Sequence, residues 1–144
     1  MKNNLPIGIF DSGIGGLTVL KALQEVLPEE SYLYFGDTAH VPYGNKSQTA
    51  IINYTTRITT FLEEKKVKLI IIACNTASSL AIKQLQKNTH IPIIDVITPI
   101  QYILKANKQI QTIGIIGTHN TIISKAYNNT ILSVDSKINI YATP

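Results

Sequence analysis

In Leu69-Ile-Ile-Ile-Ala-Cys-Asn-Thr-Ala-Ser78 an unbroken apolar run stops at the chain's only cysteine and gives way to small polar residues. A run without polar alternation suits a strand buried on both faces, the usual case in a parallel sheet. Ligands of open α/β sheets gather beyond the carboxyl ends of such strands. Cys74 therefore stands at the mouth of a crevice, beside the positive N-terminal end of the helix that follows. A helix end of that kind favours a thiolate over a thiol. A small buried cysteine that only packs is the competing reading, and the polar turn of Asn75, Thr76 and Ser78 weighs against it.

Upstream, Pro6-Ile-Gly-Ile-Phe10 reads as a first strand closed by Asp11-Ser-Gly-Ile-Gly-Gly16. Leu17, Leu20, Leu23 and Leu27 then recur at helical spacing until Pro28. Ser31-Tyr-Leu-Tyr-Phe-Gly36 gives a second strand, and a loop through Asp37, His40, Pro42, Tyr43 and Gly44 follows. Ser47 is placed to cap a long helix whose inward face carries Ile51, Tyr54, Ile58, Phe61 and Leu62. Beyond Cys74 the spacing predicts a helix with Leu80, Ala81 and Leu85 inward, then a fourth strand from Ile91 to Val96.

The pattern then restarts. A helix around Ile100 to Leu104 leads to the strand Thr112-Ile-Gly-Ile-Ile-Gly-Thr118. One further helix takes in Ile122, Ile123, Ala126 and Tyr127, and a last strand covers Lys137 to Tyr141. Strands alternating with helices imply right-handed βαβ units and a parallel sheet, hence an α/β fold of αβα sandwich type. Strand, glycine, polar residue and helix recur at 7–16 and 113–122. The chain accordingly divides into a first α/β domain over 1–96, carrying Cys74, and the start of a second, pseudo-symmetric α/β domain over 97–144.

Composition narrows the function classes. Hydrophobic residues make up 44% and charged residues 15%, a globular balance. The net charge of +4 comes from scattered lysines. Lys65, Lys66 and Lys68 form the only tight group, at a predicted helix end where cations complement the dipole. No basic stripe interleaves with aromatics, so nucleic acid is not an expected partner. A single cysteine cannot close an internal disulfide, in keeping with a reducing compartment. Met1-Lys-Asn-Asn-Leu-Pro6 lacks the apolar stretch and cleavage site of a signal peptide, and no apolar run reaches the roughly 20 residues that span a bilayer. A soluble, cytoplasmic protein without membrane partners is the expectation.

The groups able to do chemistry sit in the loops after the first three strands. Asp11-Ser-Gly-Ile-Gly-Gly16 lets a backbone approach a ligand at a helix N-terminus. It matches neither the dinucleotide fingerprint nor a Walker loop. Its acidic Asp11 would repel a phosphate, so a zwitterion fits better; Asp11 and Ser12 are also placed simply to cap the helix. In Asp37-Thr-Ala-His-Val-Pro-Tyr-Gly44, proline and glycine fix the backbone around Tyr43, either for a ligand or for packing. His40 is a candidate base or a solvated loop residue, and His90 and His119 carry no stronger signal. No histidine, cysteine and carboxylate set has metal-ligand spacing. In a parallel sheet the three loops share one edge, bringing a thiol, a carboxylate, a tyrosine and small donors together as a small-molecule site.

Taken in order, Asp11 to Gly16, Asp37 through Pro42-Tyr-Gly44, and Cys74 to Ser78 resemble the cofactor-independent aspartate/glutamate racemase family. Gly117-Thr-His-Asn-Thr121 and Ser124 to Tyr127 are similar to it as well. The resemblance implies a two-domain, pseudo-symmetric α/β enzyme that holds its substrate between the domains and takes one catalytic cysteine from each. It implies racemisation of glutamate without a cofactor, the D-glutamate feeding peptidoglycan synthesis, with aspartate as the other substrate known in the family. A homodimer is compatible with it. Racemising an amino acid removes the α-proton from one face and returns one to the other, so two acid/base groups on opposite sides are needed. By the resemblance Cys74 is one of them and Asp11 orients or assists it. Asp11, Ser12, Tyr43, Gly44, Asn75 and Thr76 would bind the substrate's carboxylate and ammonium groups, with further contacts from Thr118 and Thr121.

The resemblance also implies a second cysteine, next to a Thr-His pair, and places it beyond Pro144. The expectation is that about half of a family-length enzyme lies outside these 144 residues. The alternative is a truncated, weak or inactive remnant that at most binds glutamate. A cysteine hydrolase would use the same strand-to-helix placement for a nucleophile, but no histidine partner is evident.

Overall fold

The structure, a computed structural model, describes residues 4–144; residues 1–3 of the segment read above for a leader lie outside it. Strand β1 (Ile7–Asp11) is followed by helix α1 (Leu17–Val26), β2 (Tyr32–Gly36), α2 (Gln48–Glu64), β3 (Leu69–Ile72), α3 (Asn75–Asn88) and β4 (Ile93–Asp95). The four strands pair in parallel in the order β2-β1-β3-β4. The apolar run of β3 is explained by that order, since β1 and β4 flank it and helices cover both faces.

Side chains alternate across the pleat. Phe10, Ile70 and Ile72 point into one core with Ile51, Ile58 and Leu62 of α2 and Ala77, Ala81 and Leu85 of α3. Ile7, Ile9, Ile71 and Ala73 point the other way, against Val19, Leu20 and Leu23 of α1. The result is the αβα sandwich expected from the alternation of elements.

Past β4, Asp95 caps the next turn: its carboxylate accepts from the backbone N–H groups of Ile97 and Thr98 at 2.6 Å each. Helix α4 (Ile100–Ala106), β5 (Thr112–Ile116), α5 (His119–Ile123), α6 (Ala126–Leu132) and β6 (Asn139–Thr143) complete the chain. Strands β5 and β6 form a separate two-stranded parallel sheet. Leu104, Ile115, Ile131 and Ile138 make its own small core.

Two expectations are revised. The single helix through Ile122 to Tyr127 is two, because Lys125 adopts a left-handed conformation (φ 54°) that ends one and starts the other. The inward face of α2 also differs. Tyr54 and Phe61 are only partly buried, and Thr55 and Thr59 take the core positions instead. Thr55 reaches its own helix, donating to the Ile51 carbonyl at 2.8 Å. Thr59 Oγ1 is buried without a partner. A buried hydroxyl left unpaired carries a desolvation penalty of about 1–3 kcal/mol. Thr59→Val, which keeps the branched shape, should therefore stabilise by ~1 kcal/mol and raise Tm by about 4 °C. A melting temperature at or below that of the parent protein would show that the hydroxyl is satisfied.

Candidate active site

The site forms where the carboxyl ends of β1, β2 and β3 meet the first turn after β5. Cys74 ends the β3 segment and is the N-cap of α3. The residue is 5% exposed, and its Sγ accepts from the Ala77 backbone N–H at 3.5 Å. The thiol donates to Ser12 Oγ at 3.5 Å. The helix-end donor is the one its position in sequence predicts, and the Ser12 hydroxyl is a second neighbour of the sulfur.

Asp11 is the last residue of β1 and is buried. Its Oδ2 accepts from the backbone N–H groups of Gly13 (3.2 Å) and Gly16 (3.0 Å), fixing the loop that carries Ser12. Its carboxylate is therefore tied into its own loop. The phenol of Tyr34, read from sequence only as a strand residue, donates to the Gly13 carbonyl at 3.1 Å. Burial, then the charges of Asp11 and Cys74, push this phenol up to about 12. It stays a neutral donor beside the loop.

The second loop is organised on Asp37. Tyr43 donates its hydroxyl to Asp37 Oδ2 at 2.6 Å, and His40 Nδ1 contacts both carboxylate oxygens at 2.8 and 2.9 Å. His40 stacks on Tyr54 with ring centroids 4.0 Å apart. That arrangement accounts for His40 as a brace of the loop. Tyr43 itself is 1% exposed, so its side chain is committed to Asp37, and only the backbone of the Tyr43–Asn45 turn remains for a ligand. Burial first, and then the bond to Asp37, raise the Tyr43 phenol. Gly44 closes against the second sheet: a Cβ there would stand 3.0 Å from Thr118 Cβ.

Thr76 joins the two sheets. Its hydroxyl lies 2.9 Å from that of Thr118 and 3.5 Å from that of Thr121, while Thr118 and Thr121 are 2.9 Å apart. Asn75 Oδ1 accepts from the Tyr127 hydroxyl at 2.6 Å, which turns the amide's N–H₂ group away from that bond. A hollow of about 370 Å³ runs from Asn75, Thr118, Thr121 and Tyr127 along β5. A larger one, about 620 Å³, lies by Glu30 and Lys68 at the opposite edge of the sheet, away from the thiol.

Cys74, Ser12, Asp11, Asn75, Thr76 and Gly44 are thus drawn to one region, and Tyr43 contributes only its backbone. Sequence reasoning missed Tyr34, Tyr127 and Asn120 as partners of these residues. Tyr127 carried a helical-spacing signal, but nothing in the spacing marked its hydroxyl. Among the described residues, no group of three metal-ligating side chains converges, and no helix is long and apolar enough to cross a membrane.

Four of the seven tyrosines, Tyr32, Tyr34, Tyr43 and Tyr127, are raised above the ordinary phenol value, burial being the largest cause in each. A phenol raised on folding contributes stability that is fully present below its unfolded pKa near 10 and is lost as pH climbs through the folded value. For Tyr34 the loss runs from about pH 10 to about 12. Tyrosinate absorbance of the folded protein should accordingly lag that of the unfolded chain across this window, with Tm falling only above about pH 10 on account of these groups. Identical titration curves for the folded and unfolded chains would contradict the burial described.

Comparison with known proteins places the chain in a family and matches its fold. A sequence profile described as Asp/Glu/Hydantoin racemase matches residues 15–140. A glutamate racemase of Geobacter metallireducens is 45% identical over 134 residues, covering 93% of this chain and 50% of that protein. One from Sulfurihydrogenibium is 48% identical, covering 95% and 53%. Among solved structures, glutamate racemase from Francisella tularensis, in complex with D-glutamate, superposes with a TM-score of 0.90 at 44% identity, over 98% of this chain and 53% of that one. The Aquifex pyrophilus enzyme gives 0.89 at 41%, over 97% and 56%. The chain belongs to the Asp/Glu/hydantoin racemase family. It spans about half the length of the curated relatives it matches.

Proposed function

We propose that this chain carries the Cys74 side of a glutamate racemase site. Cys74 takes the α-proton from one enantiomer as a thiolate and, as a thiol, returns a proton for the other. The electron pair left by the proton passes into the substrate carboxylate, which the surrounding donors stabilise. Asp11 holds the loop that positions Ser12 against the sulfur. Ser12, Asn75, Thr76 and the backbone at Tyr43 and Gly44 bind the substrate's charged groups, and Thr118 and Thr121 extend that set.

The opposite face of the α-carbon needs a second acid/base group. By likeness to the family that group is a cysteine, and the only cysteine of these 144 residues is Cys74. The chain is read as the first domain, over 1–96, with the start of a second, over 97–144. D-glutamate for peptidoglycan is the product, and the cytoplasm the place of action.

The observation that carries the reading is the thiol itself, capped by a helix-end N–H and touched by Ser12, at the edge where three loops converge. Incubated in heavy water with pure L- or pure D-glutamate, the protein should exchange the α-proton of at least one enantiomer for deuterium in a Cys74-dependent way. Glutamate binding without turnover would reduce the chain to a binding module, a reading favoured by its single cysteine. Neither binding nor turnover would remove glutamate altogether.

A further inference from the structure

Asn120 lies in α5, at the start of the second sheet's helices, and its side chain reaches back to the first. Its Nδ2 donates to the Lys46 carbonyl at 2.8 Å and to the Tyr43 carbonyl at 3.3 Å. These two carbonyls stand at either end of the Tyr43–Asn45 turn, which is itself closed by Lys46 N–H on the Tyr43 carbonyl at 3.1 Å. A single amide group therefore grips both ends of that turn. Between them Gly44 packs closely on Thr118, whose Cβ and Cγ2 would stand 3.0 and 3.1 Å from an added Cβ. Thr118 is in turn within 2.9 Å of the hydroxyls of both Thr76 and Thr121.

Helix α5 is only five residues long, too short to hold its place by its own hydrogen bonds. Its position comes from contacts with the rest of the fold, the Asn120 amide and the contact of the Thr121 hydroxyl with Thr76 among them. We propose that Asn120 is a positioning residue. It clamps the Tyr43–Asn45 turn to α5 and so sets the gap between the Gly44 backbone and the hydroxyls of Thr76, Thr118 and Thr121. A substrate carboxylate is held across that gap. The carboxylate part rests on the glutamate reading above; the clamp itself rests on geometry alone.

The chemistry of the clamp separates three substitutions. Asn120→Asp is nearly isosteric but faces two carbonyl oxygens with a carboxylate and has no donor. Asn120→Ala removes the group, and Asn120→Gln keeps both donors on a longer arm. Affinities for L- and D-glutamate would be measured by calorimetry alongside Tm and amide hydrogen exchange resolved by segment. Affinity should fall about tenfold in Asn120→Ala, further in Asn120→Asp, and recover in part in Asn120→Gln. Exchange should speed up over residues 43–46 while that of β1 and β3 stays at the parent level. Unchanged affinity and unchanged exchange at 43–46 in both Asn120→Ala and Asn120→Asp would overturn the proposal. So would an affinity loss accompanied by faster exchange throughout β1 and β3, the mark of general loosening. If the parent protein binds neither enantiomer, the glutamate reading fails and takes the carboxylate role with it, while exchange at 43–46 still decides whether the clamp exists.

Discussion

Gly36→Ala should cost the fold ~3 kcal/mol and lower Tm by about 10 °C. Gly36 ends β2 and pairs with Asp11 at the end of β1. An added Cβ would stand 2.3 Å from the carbonyl oxygen of Gly13, a backbone atom that cannot swing aside as a flexible side-chain tip would. The Gly13 segment is also held by Asp11 Oδ2 and by the Tyr34 hydroxyl. Displacing it would strip donors from a buried carboxylate and move Ser12 away from Cys74. Gly114→Ala is the matched control, because nothing lies within 4 Å of a Cβ there, and alanine in a strand loses less entropy on folding than glycine. A Gly36→Ala protein that melts like the Gly114→Ala protein would mean that β2 and the Asp11 loop are not packed as described.

The second large effect is on chemistry. Cys74→Ser preserves the N-cap, since a serine hydroxyl accepts from N3 at least as well as sulfur does. The fold should hold within a few degrees of the parent Tm. A serine hydroxyl, however, is not a base near neutral pH, and loss of a positioned acid/base group costs about 10²- to 10⁴-fold in proton transfer. The expected result is a loss of α-proton exchange of that size with glutamate affinity changed little. Exchange at the parent rate would assign the proton transfer elsewhere. A collapse of Tm in step with exchange would show instead that Cys74 acts mainly by packing.

The order of strands and helices was legible because a parallel sheet leaves strong marks: β3 is apolar throughout, and the helices repeat at their own period. The convergence of Asp11, Ser12 and Cys74 followed from the same rule, since parallel strands send their loops to one edge. What failed to show in sequence were features decided by local backbone geometry or by distance along the chain. Lys125 breaks the predicted helix through a left-handed φ that lysine spacing does not announce. Thr55 and Thr59 displaced the aromatic residues from the α2 core, one because its hydroxyl can bond its own helix. The loop around Tyr43 read as built either for a ligand or for packing, and nothing in its spacing marked the bond of the Tyr43 hydroxyl to Asp37. Asn120 lies 74 residues from Lys46, so no periodicity relates the two.

The role of Cys74 as a proton-transfer group is tested most directly by one measurement. The protein, incubated separately with pure L- and pure D-glutamate in heavy water, is followed by mass spectrometry for deuterium at the α-carbon. The prediction is deuterium entering at least one enantiomer, at a rate that depends on Cys74. Absence of deuterium from both, under conditions where calorimetry shows glutamate bound, would contradict it.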